Sequence, residues 1–326
     1  MSLPVIDIAP LFGTDEAQRR AVARRLGRAC EEVGFFYVSG HGIRADLIER
    51  LEAAARAFFA LPAPDKARIA MARAGAAWRG WFPLHGELTS GRPDDKEGLY
   101  FGEELAIDDP RVRAGWLLHG ANQWPVAPAD LRPAVTAYVA QVSKVAEVLM
   151  QGVSLALDLD GDHFHRAYLA RPTELFRIFH YPPTPPGGWG VGEHTDYGLL
   201  TLLLQDRVGG LEVKSRRGWL SAPPIAGTLV CNLGDMLERL TGGRFVSTPH
   251  RVVNAASQDR LSFPFFYDPD FTAVMTPVFE DVPDTFGENR WDAEDPHAFS
   301  GTYGDYLTAR VGRVFPDLKA AVSTPA

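Results

Sequence analysis

With 326 residues, 46 % hydrophobic and 23 % charged, the chain has the composition of a soluble globular protein with room for a substantial core. It has no apolar run long enough to cross a bilayer, and "MSLPVIDIAPLFGTDEAQRR" lacks the basic-then-apolar order of a signal peptide, so a membrane is excluded as a partner and a cytoplasmic location is expected. A net charge of −8 with no basic block argues against nucleic acid, and only two cysteines, Cys30 and Cys231, exclude a disulfide framework and read as buried thiols.

Along the chain, "LPVIDIAPL" predicts a short strand ended by Pro10. A helix follows, capped by Thr14 or Asp15 and stopped by Gly34, and then the strand "FFYVS". His41, in "SGHGI", reads as a turn residue with local hydrogen bonds. "RADLIERLEAAARAFFALP" is a second amphipathic helix closed by Pro62. Segment 76–103 is rich in Gly, Trp and charge and reads as loop and short-strand material suited to lining a site. A third helix is expected over 129–158, with Pro133 tolerable only in its first turn.

After residue 172 the pattern changes to short strands broken by Gly, Pro and Asp, the spacing of a β-sandwich or jelly roll. Helices first and strands later make an α+β chain. The expected divisions are an N-terminal region 1–120, a helical segment 121–171, a jelly-roll core 172–316 and a tail 317–326.

"GEHTDYGLLTLLLQD" places His194 and Asp196 two apart at the entrance to an apolar strand. In extended chain both side chains share a face and can hold one ion. His250, at the start of a later strand, is the candidate third ligand. Two histidines and one carboxylate leave three octahedral positions open, which suits non-haem Fe(II), but they also suit Zn²⁺. Arg260 and Ser262, again two apart, sit in "RLSFPFFYDP", where a guanidinium fork and a hydroxyl can grip a buried carboxylate. Tyr181, in "FHYPP", can add a phenol to the same anion. His163 and His165, in "DGDHFHRAY", follow one helix and precede another, where i and i+2 do not face each other, so they are not expected to be ligands.

The combination of "HTD", "HRV", "RLS", "NLGD" and "RIFHYPP", with "EEVGFFYVSGHGI", "RGWFP" and "GANQWP" upstream, resembles the isopenicillin N synthase-like branch of the Fe(II)- and 2-oxoglutarate-dependent dioxygenases over nearly the whole chain. The resemblance implies a double-stranded β-helix, a jelly roll, with flanking N-terminal helices. It implies Fe(II) on His194, Asp196 and His250, and 2-oxoglutarate held by Arg260, Ser262 and Tyr181. It implies consumption of O₂ and release of succinate and CO₂ while a small-molecule substrate is oxidised. This chain has Phe179 where the family often carries Asn.

Candidate substrate residues are Arg177, on the face of Tyr181, and Trp81, Phe266 and Tyr197, although strict alternation would turn Tyr197 away from Asp196. A 2-oxoglutarate-independent oxidase like isopenicillin N synthase is the nearest rival, in which the Tyr, Arg and Ser positions hold the substrate's own carboxylate. A binding protein on the same scaffold does not need an open triad, and a zinc hydrolase lacks an obvious general base.

Overall fold

The computed structural model describes residues 2–89, 91–183, 188–215, 218–254, 258–279 and 295–315, so the tail 317–326 lies outside the described residues. Its helices are α1 (Glu16–Glu32), α2 (Ala45–Phe59), the single turns α3 (Ala63–Lys66) and α4 (Pro110–Arg113), α5 (Leu131–Ala156), α6 (His163–Tyr168), α7 (Asp235–Leu240) and α8 (Tyr303–Val314). The N-terminal strands are β1 (Val5–Asp7), β2 (Phe35–Ser39), β3 (Gly80–Phe82), the small hairpin β4 (Leu88–Thr89) and β5 (Arg92–Pro93), and β6 (Glu97–Gly102). The later strands are β7 (Thr173–Tyr181), β8 (Gly188–His194), β9 (Leu200–Gln205), β10 (Leu211–Ser215), β11 (Gly218–Ser221), β12 (Leu229–Leu233), β13 (His250–Asn254) and β14 (Arg260–Asp268).

Two sheets form the core. The larger has the order β1-β2-β12-β9-β14-β7-β6-β3 and the smaller β11-β10-β13-β8. Strand pairings in both are antiparallel except that of β1 with β2. This is the expected jelly roll in an α+β chain. Strands β1, β2, β3 and β6, from the first 120 residues, enter the larger sheet directly and widen it at both ends.

Local chemistry accounts for the frame. Asp15 caps α1 by accepting from the Gln18 amide at 3.1 Å. Gly34 then turns the chain with φ +67°, where a Cβ would meet the Val246 carbonyl at 2.0 Å. In α5 the buried Leu131, Val135, Tyr138, Val142, Val145, Leu149 and Val153 recur at helical spacing. At about 1.5–3 kcal/mol for each large apolar side chain fully buried, this stripe is the main anchor of the helical layer. Helices α1 and α2 pack on it, and α5 in turn lies against the larger sheet, where Tyr138 meets Phe176 at 5.4 Å between ring centroids.

Alternation along β7 then sorts the opposite face. Phe176 and Ile178 belong to the core, while Leu175, Arg177, Phe179 and Tyr181 line a cavity of about 400 Å³ between the sheets. Pro264 sits inside the central strand β14, and its register places it opposite Arg177, in a gap between the pairs Ser262–Phe179 and Phe265–Phe176. Cys30 and Cys231 are buried free thiols, as expected.

Two elements differ from the sequence reading. Segment 76–103 holds the short strands expected of it, but one of them, β6, is fully paired against β7 and buried along nearly all its length, which its mixed polar pattern conceals. Helix α8 has no signal in the sequence pattern read above. Its Tyr303 and Tyr306 are pinned to the core by hydrogen bonds to Asp268 at 2.5 Å and Asp235 at 2.9 Å.

The turn from β12 into α7 is also the floor of the loop after His194. A Cβ at Gly234 would lie 2.4 Å from the Gly198 carbonyl oxygen and 2.8 Å from its nitrogen, all backbone. Gly234→Ala should therefore cost about 1–3 kcal/mol, typical of overpacking, and lower Tm by several degrees while weakening metal retention. Thermal denaturation and metal titration check this, and an unchanged Tm would show that the loop yields freely.

Candidate metal centre

The smaller sheet sets the two histidines against each other. His194 ends β8, His250 begins β13, and the two are register partners with ring centroids 4.2 Å apart. Regular strand ends at His194, so Asp196 reaches the same point from the following loop rather than from an extended strand. One ligand atom from each of His194, Asp196 and His250 lies within 4.8 Å of the others, the only such group of three among the described residues.

The ring orientations are fixed from behind. His194 Nδ1 lies 2.8 Å from the Gly192 carbonyl and His250 Nδ1 3.2 Å from that of Thr248. Each Nδ1 therefore carries the proton and donates it, leaving Nε2 as a free lone pair toward the centre. Both Nε2 atoms stand 3.9 Å from Asp196 Oδ1. The other oxygen, Oδ2, accepts from the Thr201 hydroxyl and from Asn232 Nδ2, the latter at 2.7 Å. Asp196 thus presents a single oxygen, correctly aimed.

Electrostatics favours the ligand forms. Burial, and then the proximity of His194, pushes the His250 pKa down to about 4, and burial lowers that of His194. Burial works against the charge on Asp196, but the two histidines and the hydrogen bonds from Thr201 and Asn232 outweigh it and hold the carboxyl below its usual range. Two neutral imidazoles and one carboxylate form a nitrogen- and oxygen-rich set that fits a divalent first-row metal.

Beside this cluster the cavity has a cationic end. Arg260 opens β14 as the register partner of Tyr181, which closes β7, and Ser262 lies two residues on. All three line the cavity. The guanidinium is 1 % exposed, stands 4.6 Å over the Tyr181 ring and donates from Nε to the Gly209 carbonyl. Nη1 and Nη2 are buried with no partner, and no carboxylate among the described residues pairs with them. An unmatched buried cation is costly, so this end is built to receive an anion.

Arg177, Phe266 and Tyr197 also line the cavity. Tyr197 does so because the chain has left strand geometry after His194, which cancels the alternation expected to turn it away. Trp81 is a correction. It lies on the opposite face of β3 and donates from its indole nitrogen to Glu97 Oε2 at 2.8 Å, behind the cavity wall. The composition of the segment showed aromatic bulk but not which parity faced inward.

His163 and His165 lie in the first turn of α6 and belong to neither the ligand cluster nor the cavity. His41 accepts from the Ile43 amide at 3.1 Å, a local turn contact as expected. Sequence reading missed Lys96 and Glu87 on the wall, and Leu307, Arg310 and Arg313 from α8. It also gave Thr201 and Asn232 no role, although Asn232 stands in the quoted "NLGD".

Asn232 offers a direct check on this geometry. Asn232→Leu removes one of the two hydrogen bonds that aim Asp196 while leaving all three ligands in place. Loss of such an outer partner typically weakens metal affinity 10- to 100-fold. Equilibrium dialysis with Fe(II) or Co(II) should show that loss with a normal circular dichroism spectrum, and unchanged affinity would remove Asn232 from the site.

Comparison with known proteins gives the same answer. Residues 3–127 match the family described as the N-terminal region of non-haem dioxygenases in morphine synthesis, and residues 172–269 match the 2OG-Fe(II) oxygenase superfamily. A Dictyostelium discoideum protein described as a probable iron/ascorbate oxidoreductase is 44 % identical, covering 97 % of this chain and 96 % of its own. A homoarginine-6-hydroxylase of Glycine max is 35 % identical over 97 % of this chain and 98 % of its own. The crystal structure of a full-length Neurospora crassa protein in complex with alpha-KG and 5-formyluracil superposes with a TM-score of 0.78 at 26 % identity, covering 98 % of this chain and 96 % of that one. The chain belongs to the 2OG-Fe(II) oxygenase superfamily and is a non-haem iron enzyme that uses Fe(II), 2-oxoglutarate and O₂ to oxidise a small molecule.

Proposed function

We propose that His194, Asp196 and His250 hold the iron, and that Arg260, Ser262 and Tyr181 bind the distal carboxylate of 2-oxoglutarate. The observation that carries this reading is the buried Arg260 with two unpartnered nitrogens, lining the same cavity as the only three-residue ligand cluster among the described residues. When bound, Fe(II) with 2-oxoglutarate and O₂ supplies an oxidant, with the keto acid leaving as succinate and CO₂.

The chain's own residues bind, aim and exclude. Arg260 gives the carboxylate a two-pronged partner, and the Ser262 and Tyr181 hydroxyls add hydrogen bonds from the neighbouring register positions. Leu203, Leu211 and Val252 line the same cavity and keep water from the carboxylate, which strengthens each of those bonds. Arg177, Phe266 and Tyr197 form the wall available to the substrate. Lys96, whose ammonium lies 4.6 Å from the Phe179 ring, brings a positive charge to the place where the family often carries Asn. Both cysteines are buried free thiols, and no helix among the described residues is long and apolar enough to cross a membrane.

The test is anaerobic Fe(II) reconstitution with and without 2-oxoglutarate, followed by the metal-to-ligand charge-transfer band and by succinate formed per O₂ consumed. Losing one partner of a buried charge pair costs roughly 3–5 kcal/mol, so Arg260→Ala should weaken 2-oxoglutarate about 10²- to 10³-fold or more while iron stays bound. Arg260→Lys should recover only part of this, because it lacks the planar fork. Ser262→Ala should lose less, about the 1.5–3 kcal/mol of a hydrogen bond to a charged group. His194→Ala should lose iron, and His165→Ala should not. Turnover with O₂ uptake but no succinate would sink the assignment of Arg260 to 2-oxoglutarate and leave the metal site standing.

A further inference from the structure

Beyond the metal cluster the cavity is walled by β7, β14 and α8, with Arg177, Phe266, Leu307, Arg310 and Arg313 on the wall. Arg177 is the unusual member. Its guanidinium carbon lies 4.2 Å from the centroid of the Tyr100 ring and 4.7 Å from that of Phe266. Ring contacts use the faces of a guanidinium, whereas its N–H groups radiate in the plane, so the edge is left for hydrogen bonding. Arg177 makes no hydrogen bond to any described residue, and its Nε is buried without a partner. Its single ion pair among them, to Glu87 Oε1, is 3.8 Å long, beyond hydrogen-bond range.

The acid that faces Arg177, Glu87, is shared with Lys96, which Asp94 also holds at 2.7 Å. Glu87 already accepts from the Tyr100 hydroxyl at 2.5 Å and lies 2.9 Å from the Lys96 ammonium. Asp196 is committed to the metal cluster. Asp268 accepts from the Tyr303 hydroxyl, and burial raises its pKa to about 7. Arg310, which pairs with Asp235 at 3.5 Å, lines the same side of the cavity.

We propose that the substrate carries a carboxylate and that Arg177 binds it along the edge of its guanidinium. The apolar body of the acid then lies against Phe266 and Leu307, toward the metal centre. This inference rests on the assignment of the iron and 2-oxoglutarate sites above. It names small carboxylic acids as the substrate class, in contrast to uncharged rings of the same size. The carboxylate is bound here, and Arg260 remains engaged with the cosubstrate at the other end of the cavity.

The experiment uses the anaerobic protein loaded with Fe(II) and saturating 2-oxoglutarate. Benzoate is titrated against benzamide, and phenylacetate against phenylacetamide, by calorimetry with the charge-transfer band recorded in parallel. Each acid should bind at least about tenfold more tightly than its amide, a difference of about 1.4 kcal/mol. Arg177→Gln should abolish that preference and Arg177→Lys should keep part of it, and in both the band should form as in the wild type. The wild-type comparison of acid with amide stands even where Arg177→Gln does not fold. Equal binding of acid and amide, no binding of either acid, a preference that survives in Arg177→Gln, or loss of the band on adding benzoate (which places the acid at Arg260) would each overturn the proposal. Failure of the band to form in the wild type before any acid is added is a separate result, and it removes the iron and 2-oxoglutarate reading together with the inference built on it.

Discussion

The site depends first on the pairing of β8 with β13. That ladder brings His194 and His250 into register although they are 56 positions apart in sequence, and it does so at the ends of both strands, where the chain can still leave the sheet. A one-residue slip would turn one imidazole to the opposite face and dissolve the cluster. The pairing also explains why Asp196 is a loop residue. The loop lets it approach both rings while its other oxygen is held by Thr201 of β9 and Asn232 of β12, which belong to the larger sheet. The candidate metal ligands are therefore clamped between the two sheets. Their alignment is as stable as the jelly roll itself.

A second constraint is parity along β6 and β7. Lys96 and Glu97 are consecutive and so face opposite ways. Lys96 points to the cavity wall, where Asp94 and Glu87 hold it at 2.7 and 2.9 Å and outweigh the burial that disfavours its charge. Glu97 points behind the wall, where it accepts from Lys66 Nζ at 2.7 Å, from the Trp81 indole at 2.8 Å and meets His180 Nδ1 at 2.9 Å. One acid thus ties together α3, β3, β6 and β7. Its partner His180 is the residue before Tyr181, so a network with no direct access to the cavity fixes the end of β7 where 2-oxoglutarate is proposed to bind. Breaking one member of such a buried set leaves charge unmatched, so the polar core behind the site has little freedom to shift.

What could be read from the sequence follows from the range of each signal. Short spacings that carry chemistry, His194 with Asp196 and Arg260 with Ser262, are legible because both members of each pair are set by a few residues of local chain. The α1, α2 and α5 helices are legible because apolar periodicity, Asp15, Gly34 and Pro62 are local too. The candidate third ligand, His250, is legible only as a histidine at the start of a later strand, with the family resemblance added, since only topology makes it a neighbour. Trp81 went wrong for the same reason. Its bulk was visible, but whether it faced the cavity or Glu97 depends on the pairing of β3 with β6. Lys96, Glu87 and the α8 residues were missed because charged residues in a mixed segment look like exposed loop, and only tertiary burial distinguishes them. Thr201 and Asn232 serve Asp196 from two other strands, a relation that spacing does not record.

The distribution of charge along the cavity completes the argument. Two guanidiniums line the cavity, Arg260 beside Tyr181 and Arg177 beside Tyr100 and Phe266, with the His-Asp-His cluster lining the same space. Arg260 is buried and Arg177 half-buried, and each has a buried nitrogen with no hydrogen-bond partner among the described residues. The two differ in what surrounds them. Arg260 has no acid paired with it among the described residues, so an incoming dianion meets its full charge. Arg177 shares a distant Glu87 with Lys96, which lowers its pull and leaves the Arg260 end the stronger attractor for the keto acid. An enzyme that must take two acids into one cavity needs such an asymmetry, because the cosubstrate would otherwise occupy either end. On the proposed assignment of Arg260 to 2-oxoglutarate and Arg177 to the substrate, the two unequal arginines supply it.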